Sequence, residues 1–561
     1  MRQCAGSPMT LSNKRGFYFQ RINRTALVKI AAPFVLVAVL LAPSIWMLTL
    51  IPPLWRDIDA YIQVTYPPGS GTILQYSPLY CFGARLPLYL GYAIECLRAG
   101  QPLPGLGFFV HPILTDCGVF LLLLLQHAAL CSAAFYLIAV TSGIFWVRLI
   151  LVIAWAANPL FYSFAHCVGG ETLGMILTLL IGAMGLKIIR YSRKVPMKDW
   201  LLFGMLLWLC ILARYINAVL AGLLPLTFFI LVAYRLVTSR FGRSQSLRRW
   251  QGLRARQDLG KAILGVGVGV CCVLVANGSL RGLCYAANTS YHSVVGLAFL
   301  GRLKFLAALP VEKRNELLDK VTRNTDSADV KNFIAVLRNE LPTDTPNWDI
   351  SAFKKKARPL LVSPKTDTSD HTFIIVLNRT ALAFLYPPNG ILFSAVATDF
   401  KRSQQITIPN VVSFLFVTTR FYFSHRDAMP QYASLVTFRN KSAEEIFGVF
   451  KNHSYFHHPK DLTYRALLFF WLVSLVLFAA ILKMRRQEAA GVTLYATALT
   501  ALGLLMMLAN CLLAISQPRY TLPMWELTIV SLVILSGGIM DRLFSLSRRE
   551  QSMERHELAR F

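Results

Sequence analysis

The sequence predicts an all-α polytopic membrane bundle of about ten transmembrane helices, with a mixed α/β or α domain outside the membrane. Three observations predict it. The 561 residues are 55% hydrophobic and only 15% charged, against roughly 25% charged in soluble domains. Several apolar runs reach the roughly 20 residues that cross a bilayer as helix. The basic residues, which give a net charge of +29, cluster between those runs, where the positive-inside rule puts them. That clustering argues against a nucleic-acid partner. The first apolar run is long enough to span and ends in no small-residue cleavage site, so it is not read as a removable signal peptide.

The first span, about Ala26 to Ile51, follows Lys14, Arg15, Arg21, Arg24 and Lys29, which makes residues 1–25 a cytoplasmic tail. An outer loop, 52–110, carries PLYCFGARLPLYLGYAIECL, amphipathic enough to lie along the interface. The second span covers Ile113 to Val140 and the third Val147 to Phe164, which ends in the outer turn NPLFYSFAHCVGG. The fourth runs from Glu171 to Ile189, towards Arg190, Arg193, Lys194 and Lys198. The fifth and sixth are short, lie between Trp200 and Val237, and are separated at Arg214, Tyr215 and Asn217. SRFGRSQSLRRWQGLRARQ, the most basic stretch, is read as a cytoplasmic orientation signal that can touch anionic lipid. The seventh span, Lys261 to Leu280, closes an N-terminal membrane module of residues 26–280.

Residues 281–463 form the one sizeable segment outside the membrane, large enough for its own core. Spans at Ala466–Leu482, Gly491–Ile515 and Leu522–Met540 form a C-terminal module, 464–541, followed by a basic cytoplasmic tail, 542–561. This arrangement puts both termini inside and every strongly basic loop on that side. No internal repeat is evident, which argues against an inverted-repeat transporter. The eleven cysteines mostly sit in apolar runs and show neither a disulfide framework nor metal-ligand spacing. Cys81 and Cys96 are the pair that could meet outside the membrane.

Ionisable residues at membrane depth are costly, so each asks for a reason. Four places share the expected outer surface. Asp57 and Asp59, with Arg56 and Tyr61, read either as a solvated Arg–Asp rim or as a carboxylate that takes a proton from an acceptor hydroxyl. Glu171 reads as a helix-start acid or as a substrate-orienting one. Arg214 either snorkels or binds phosphate through its rigid fork of donors. Arg519 with Tyr520, before a proline-interrupted return into the bilayer, is an interface anchor or a phosphate site.

In order, RDIDAY, NPLFYSFAHCVGGETL, GMLLWLCILARY and PRYTLP resemble the motifs of the glycosyltransferase C superfamily, the group that holds protein O-mannosyltransferases and aminoarabinose transferases. The resemblance covers roughly the first 240 residues and the last 100. It matches Asp57 to the leading acid of the first outer loop and Tyr61 to its aromatic. It matches Pro159 and Glu171 to the outer turn, Arg214 to the "Leu-x-Arg" arginine, and Arg519, Tyr520 and Pro523 to "Arg-Tyr-x-x-Pro". The sequence departs from the pattern where Ile58 separates the two aspartates and where Tyr215 replaces a common proline. Residues 281–463 match nothing in it.

The resemblance implies inverting transfer of a sugar, hexosyl or pentosyl, from a polyprenyl phosphate to a glycan, lipid or protein acceptor. Asp57 or Asp59 would be the base, Arg214 and Arg519 would hold the phosphate with Tyr520, and Tyr61 and Glu171 would contact substrate. No cofactor is required, and a divalent metal is compatible. The expected location is a bacterial plasma membrane, with the site on the non-cytoplasmic face and membrane lipid as a partner. Triplets at Asn277, Asn288, Asn378, Asn440 and Asn452 would be glycan acceptors in a secretory membrane. The rival readings are a transporter or flippase of lipid-linked sugars, a surface-glycan polymerase or ligase, and an inactive scaffold.

Overall fold

The structure, a computed structural model, describes residues 32–558 except residue 57, 69–76, 192–194, 241–244, 342–349, 362–368, 386–389, 458–461, 483–487, 514–517 and most of 289–305 and 425–452. The chain is a helical membrane protein. Among the described residues seven helices are long and apolar enough to span: α1 (Ala32–Leu50), α5 (Asp116–Thr141), α8 (Gly170–Arg190), Tyr215–Ser239, Gly252–Ala286, Ala490–Leu512 and Pro518–Ser545. The pair α6 (Phe145–Ala156) and α7 (Pro159–Ala165), bent by 65°, makes an eighth if it is counted as one span. This is fewer than the ten expected. The expected fifth span is α9 (Met197–Ala213), 17 residues long, which stops where Arg214 takes an extended backbone. The expected eighth is α18 (Tyr464–Leu482), whose apolar part, Tyr464–Ala480, is short.

Local chemistry sets the boundaries at the end of the bundle that carries the first loop. Pro52 and Pro53 follow α1 and stop it, since proline supplies no backbone N–H. Then β1 (Leu54–Trp55) pairs in parallel with β2 (Cys167–Val168), Leu54 opposite Cys167 and Trp55 opposite Val168. The loop holds α2 (Ile58–Thr65), α3 (Pro78–Gly83) and α4 (Arg85–Arg98). Thr115 caps α5 by accepting from the Gly118 N–H at 3.1 Å. Asn158 caps α7 by accepting from Leu160 N–H at 3.0 Å, with Pro159 in the first turn. A cap plus an N1 proline starts a new helix in a new direction, which explains the bend.

The amphipathic stretch of the first loop forms α3 and α4, and α4 crosses α5 glycine on glycine: a Cβ on Gly91 would lie 2.2 Å from Gly118 Cα. Beside the crossing, Glu95 accepts from Cys117 N–H at 2.9 Å, an acid against the positive end of α5. Arg85 is fully buried and donates to the carbonyls of Gln63 and Tyr66 at the end of α2 and to that of Phe109. Cys81 and Cys96 are both free.

The chain continues through α10 (Leu223–Arg240) and α11 (Gln245–Ala286) into the segment expected outside the membrane. Its described residues are helical and divide between two apolar clusters. The helices α12 (Val311–Arg323), α13 (Ala328–Glu340), α14 (Ile350–Leu361) and α15 (Ser369–Leu385) gather around Phe333, Leu337 and Phe373. By contrast α16 (Gly390–Ser403) and α17 (Ile408–Ser424) put Val396, Val411, Val412 and Leu415 into the core of the spanning helices. That core is closed by α19 (Glu488–Leu513) and α20 (Leu522–Leu558). Asn277 lies within a candidate span rather than in the outer segment.

Candidate functional site

The strand pair builds the site. It brings the loop after α1 to the turn ahead of α8, with Arg56 N–H donating to Val168 O at 3.3 Å. Arg56 therefore stands beside Gly169, Gly170 and Glu171. The packing at both glycines is close: a Cβ on Gly169 would sit 3.1 Å from Arg56 Cβ, and one on Gly170 would clash with Ser77 Oγ at 2.4 Å. Arg56 is not a snorkelling rim residue. It is 7% exposed, and its Nη1 donates to Glu171 Oε2 at 3.0 Å.

Glu171 opens α8 and is itself 3% exposed. Its other oxygen, Oε1, lies 3.8 Å from Arg214 Nη2. The Arg214 stem packs over Gly174, one turn further along α8, where a Cβ would lie 3.5 Å from its Cδ. The backbone at Arg214 is fixed from two directions. Asn217 N–H donates to its carbonyl at 2.9 Å, and the Ser77 hydroxyl donates to the preceding Ala213 carbonyl at 2.7 Å. Glu171 is thus a helix-start acid that also holds two guanidinium groups. The two contacts differ in kind: the Arg56 pair is a buried hydrogen-bonded bridge, whereas Arg214 is 17% exposed and beyond hydrogen-bond length. A buried carboxylate is tolerated only with such partners.

A second carboxyl faces the same arginine. Glu526, on the last span, is buried and interacts electrostatically with Arg214. Its Oε1 has no hydrogen-bond partner among the described residues. Neither Arg56, as a partner of Glu171, nor Glu526 was singled out from sequence. An acid amid PMWELTIVSLVIL was the available signal for Glu526, because an ionisable group inside a span asks for a partner. Arg56 carried no such signal, since it borders a loop.

Arg519 lies in a 3-10 turn, Pro518–Thr521, that leads into the last helix. Its guanidinium is 5.0 Å from the Tyr520 ring centre and 5.9 Å from that of Phe414, and Nη2 donates to the Tyr520 hydroxyl at 3.2 Å. Phe414 belongs to α17, and the same helix sends Thr419 to Trp55, whose N–H donates to Thr419 Oγ1 at 2.9 Å. So α17 links the Arg519 turn to the first loop. Tyr61 packs edge-on against Trp55 at 5.8 Å, and its hydroxyl accepts from Gln431 N–H at 3.4 Å. Burial raises its phenol above the ordinary range. Asp59 is exposed in the first turn of α2. Asp57 lies outside the described residues. Glu171, Arg214 and Arg56 are brought together directly, and Arg519 with Tyr520 forms a second pair reached through α17. Among the described residues no three His, Cys, Asp or Glu side chains gather as a metal set.

A buried polar brace positions the turn. Tyr80 accepts from Gly169 N–H at 2.9 Å and donates to Gln126 Oε1 at 3.1 Å. Gln126 Nε2 donates to Ala165 O and Cys167 O, at 2.9 and 3.1 Å. His166 Nε2 is 2.9 Å from Ile51 O and its Nδ1 3.2 Å from His127 Nε2, while His127 Nδ1 is 3.0 Å from Ser44 Oγ. A carbonyl only accepts, so His166 donates through Nε2, accepts at Nδ1 from His127, and His127 in turn accepts from Ser44. His166 is thus a buried histidine with both ring nitrogens satisfied.

No family model matches the chain, and no curated protein matches it. Among solved structures it is similar to an archaeal oligosaccharyltransferase from Archaeoglobus fulgidus, in complex with an inhibitory peptide and a dolichol-phosphate. The TM-score is 0.36 and the identity 10%, over 94% of this chain and 51% of that one, so this chain spans about half the length of that neighbour.

Proposed function

We propose that the chain transfers a sugar from a polyprenyl phosphate to an acceptor hydroxyl at the outer membrane face. The observation that carries this reading is the unequal pair of contacts on Glu171, 3.0 Å to buried Arg56 and 3.8 Å to part-exposed Arg214. Arg56 neutralises and anchors the carboxylate. Arg214 is held in place while its N–H donors stay available to an anion. A preorganised guanidinium is what a departing lipid phosphate needs.

In the proposed reaction the acceptor oxygen bonds to the anomeric carbon as the carbon–oxygen bond to phosphate breaks. The acceptor proton goes to a carboxylate of the first loop, Asp57, and the bonding electrons leave with the lipid phosphate. Arg519 with Tyr520 would share that charge. The flippase reading is favoured less, because two of the three polar groups of the second span, Gln126 and His127 but not Asp116, are taken up by the brace around residues 165–169.

The test is incubation of the protein in lipid vesicles with a labelled polyprenyl-phosphate sugar and extracted envelope acceptors. Transfer is expected. Asp57→Asn should abolish it while insertion persists, with Asp59→Asn measured in parallel. Full activity in Asp57→Asn would remove that residue as base. Movement of the label across the bilayer without transfer would favour the flippase.

A further inference from the structure

The most basic stretch of the sequence leads into a second constellation of ions, at the other end of α8 from Glu171. On α11, Arg254, Asp258 and Lys261 are four and three residues apart and share one helix face. Arg235, near the end of α10, meets that face, with Nη1 2.9 Å from Asp258 Oδ2. Lys261 Nζ is 3.7 Å from Asp258 Oδ1, donates to Tyr191 O at 2.9 Å and lies 5.6 Å from the Phe228 ring centre. Arg254 interacts electrostatically with all three. Glu171 opens α8 and Tyr191 follows its last residue, so the two constellations stand roughly 30 Å apart at about 1.5 Å per residue. That is the thickness of one hydrocarbon core.

Charge selects an anion. Three cations surround one carboxylate, which leaves positive charge in excess. Lys187 and Asp199, at the same end of α8, pair with each other at 3.0 Å and do not offset it. Asp258 is 4% exposed, and the side chains of Arg235 and Lys261 are 14% and 11% exposed. Water screens such a cluster weakly, so its like charges repel until an anion joins them. Asp258 holds its two cations as Glu171 holds Arg56 and Arg214, one close and one loose. Among the described residues Arg235 makes no other hydrogen bond or ion pair. Its Nε and Nη2 therefore remain as donors, in the fork that suits phosphate oxygens. The setting selects a lipid as the source of that phosphate. Tyr234, Leu236 and Val237 on α10, and Leu253, Leu259 and Ile263 on α11, are large, apolar and exposed. The cations thus stand where two hydrocarbon-facing helix surfaces end, at the depth of a head group.

We propose that Arg235, Arg254 and Lys261 bind the phosphate of one anionic phospholipid, in the leaflet at the far end of α8 from Glu171. Its acyl chains lie along the exposed apolar faces of α10 and α11. The site is independent of the glycosyl-transfer reading, and it differs from diffuse attraction of a basic loop to anionic lipid in holding a single molecule. The full chain in detergent would be titrated with phosphatidylglycerol and, separately, with phosphatidylcholine, and bound lipid counted by native mass spectrometry. One phosphatidylglycerol should bind about tenfold more tightly than further copies and than phosphatidylcholine. Arg235→Lys, which keeps the charge and loses the fork, and Arg254→Gln should each weaken that first binding about fivefold. The double variant Arg235→Gln with Asp258→Asn, which removes the bridge without stranding a buried charge, should show the same loss. Arg256→Gln removes one charge from an exposed position nearby and should leave the binding unchanged. Arg214→Gln should leave it unchanged as well, and added inorganic phosphate should not displace the lipid. Equal losses in Arg256→Gln and Arg254→Gln, or wild-type binding in Arg235→Lys and in the double variant, would reduce the cluster to diffuse charge and overturn the proposal. Loss in Arg214→Gln alone would place the lipid at the other constellation, and displacement by inorganic phosphate would make this a free-anion site; either result also overturns it.

Discussion

At the residue scale, Glu171 is the group on which most depends. Sequence identified it, along with Arg214, because charged side chains flanking apolar runs are expensive. Their shared contact was not legible, since 43 positions separate 171 from 214 and only the packing of α8 on α9 closes that distance. Removing one partner of a buried pair leaves the other charge unmatched, at roughly 3–5 kcal/mol. Glu171→Ala should therefore lower the thermal midpoint sharply, and Arg56→Ala should do nearly the same. Arg214→Ala should be milder, because its contact is longer and partly exposed. Equal, small effects of all three, measured in detergent by tryptophan fluorescence, would show that the network carries no stability. His166 gives a pH dependence. Burial lowers its pKa to about 4, so it stays neutral in the fold, whereas an unfolded histidine protonates near 6.5. Its contribution is full above about pH 6.5 and is lost as pH falls towards 4, on the order of 3 kcal/mol in all. A scan of thermal midpoint from pH 7 to 4 should fall along that window and flatten in His166→Gln.

At the element scale, the feature that sequence could not supply is the two-residue strand pair, Leu54–Trp55 with Cys167–Val168. Such short strands have no periodicity to detect, yet they deliver Arg56 to Glu171. The turn before α7 was legible, because Asn158–Pro159 is a cap followed by an N1 proline. The break at Arg214 was legible as well, because it interrupts an apolar run, although the 17-residue helix before it is not one of the candidate spans. The α4–α5 crossing was not, although its glycines stand in LGYA and DCGV. Gly91→Ala should push α4 away from Gly118, where no space exists for a methyl group, and overpacking of this kind costs about 1–3 kcal/mol. Gly107→Ala, which meets open space, should leave the melting temperature unchanged. A similar loss in both variants would indicate a general effect of the loop instead of the crossing.

At the scale of the whole molecule, composition and loop charge were enough to predict a helical membrane protein, and among the described residues seven helices are long and apolar enough to span, or eight if the bent pair is one span. The segment from 281 to 463 was harder to read, because its amphipathic helices carry no sign of which core each joins. Part of it gathers around Phe333 and Phe373, and α17 enters the bundle. That entry has a consequence for the site, because α17 touches Trp55 beside the Glu171 network and supplies Phe414 beneath Arg519. On the proposed function these two arginine centres receive one lipid phosphate. Equilibrium binding of a polyprenyl monophosphate to the protein in nanodiscs tests it most directly. Arg214→Gln and Arg519→Gln should each weaken binding at least tenfold, about 1.4 kcal/mol apiece, in variants that remain folded. Wild-type affinity in both would contradict the account.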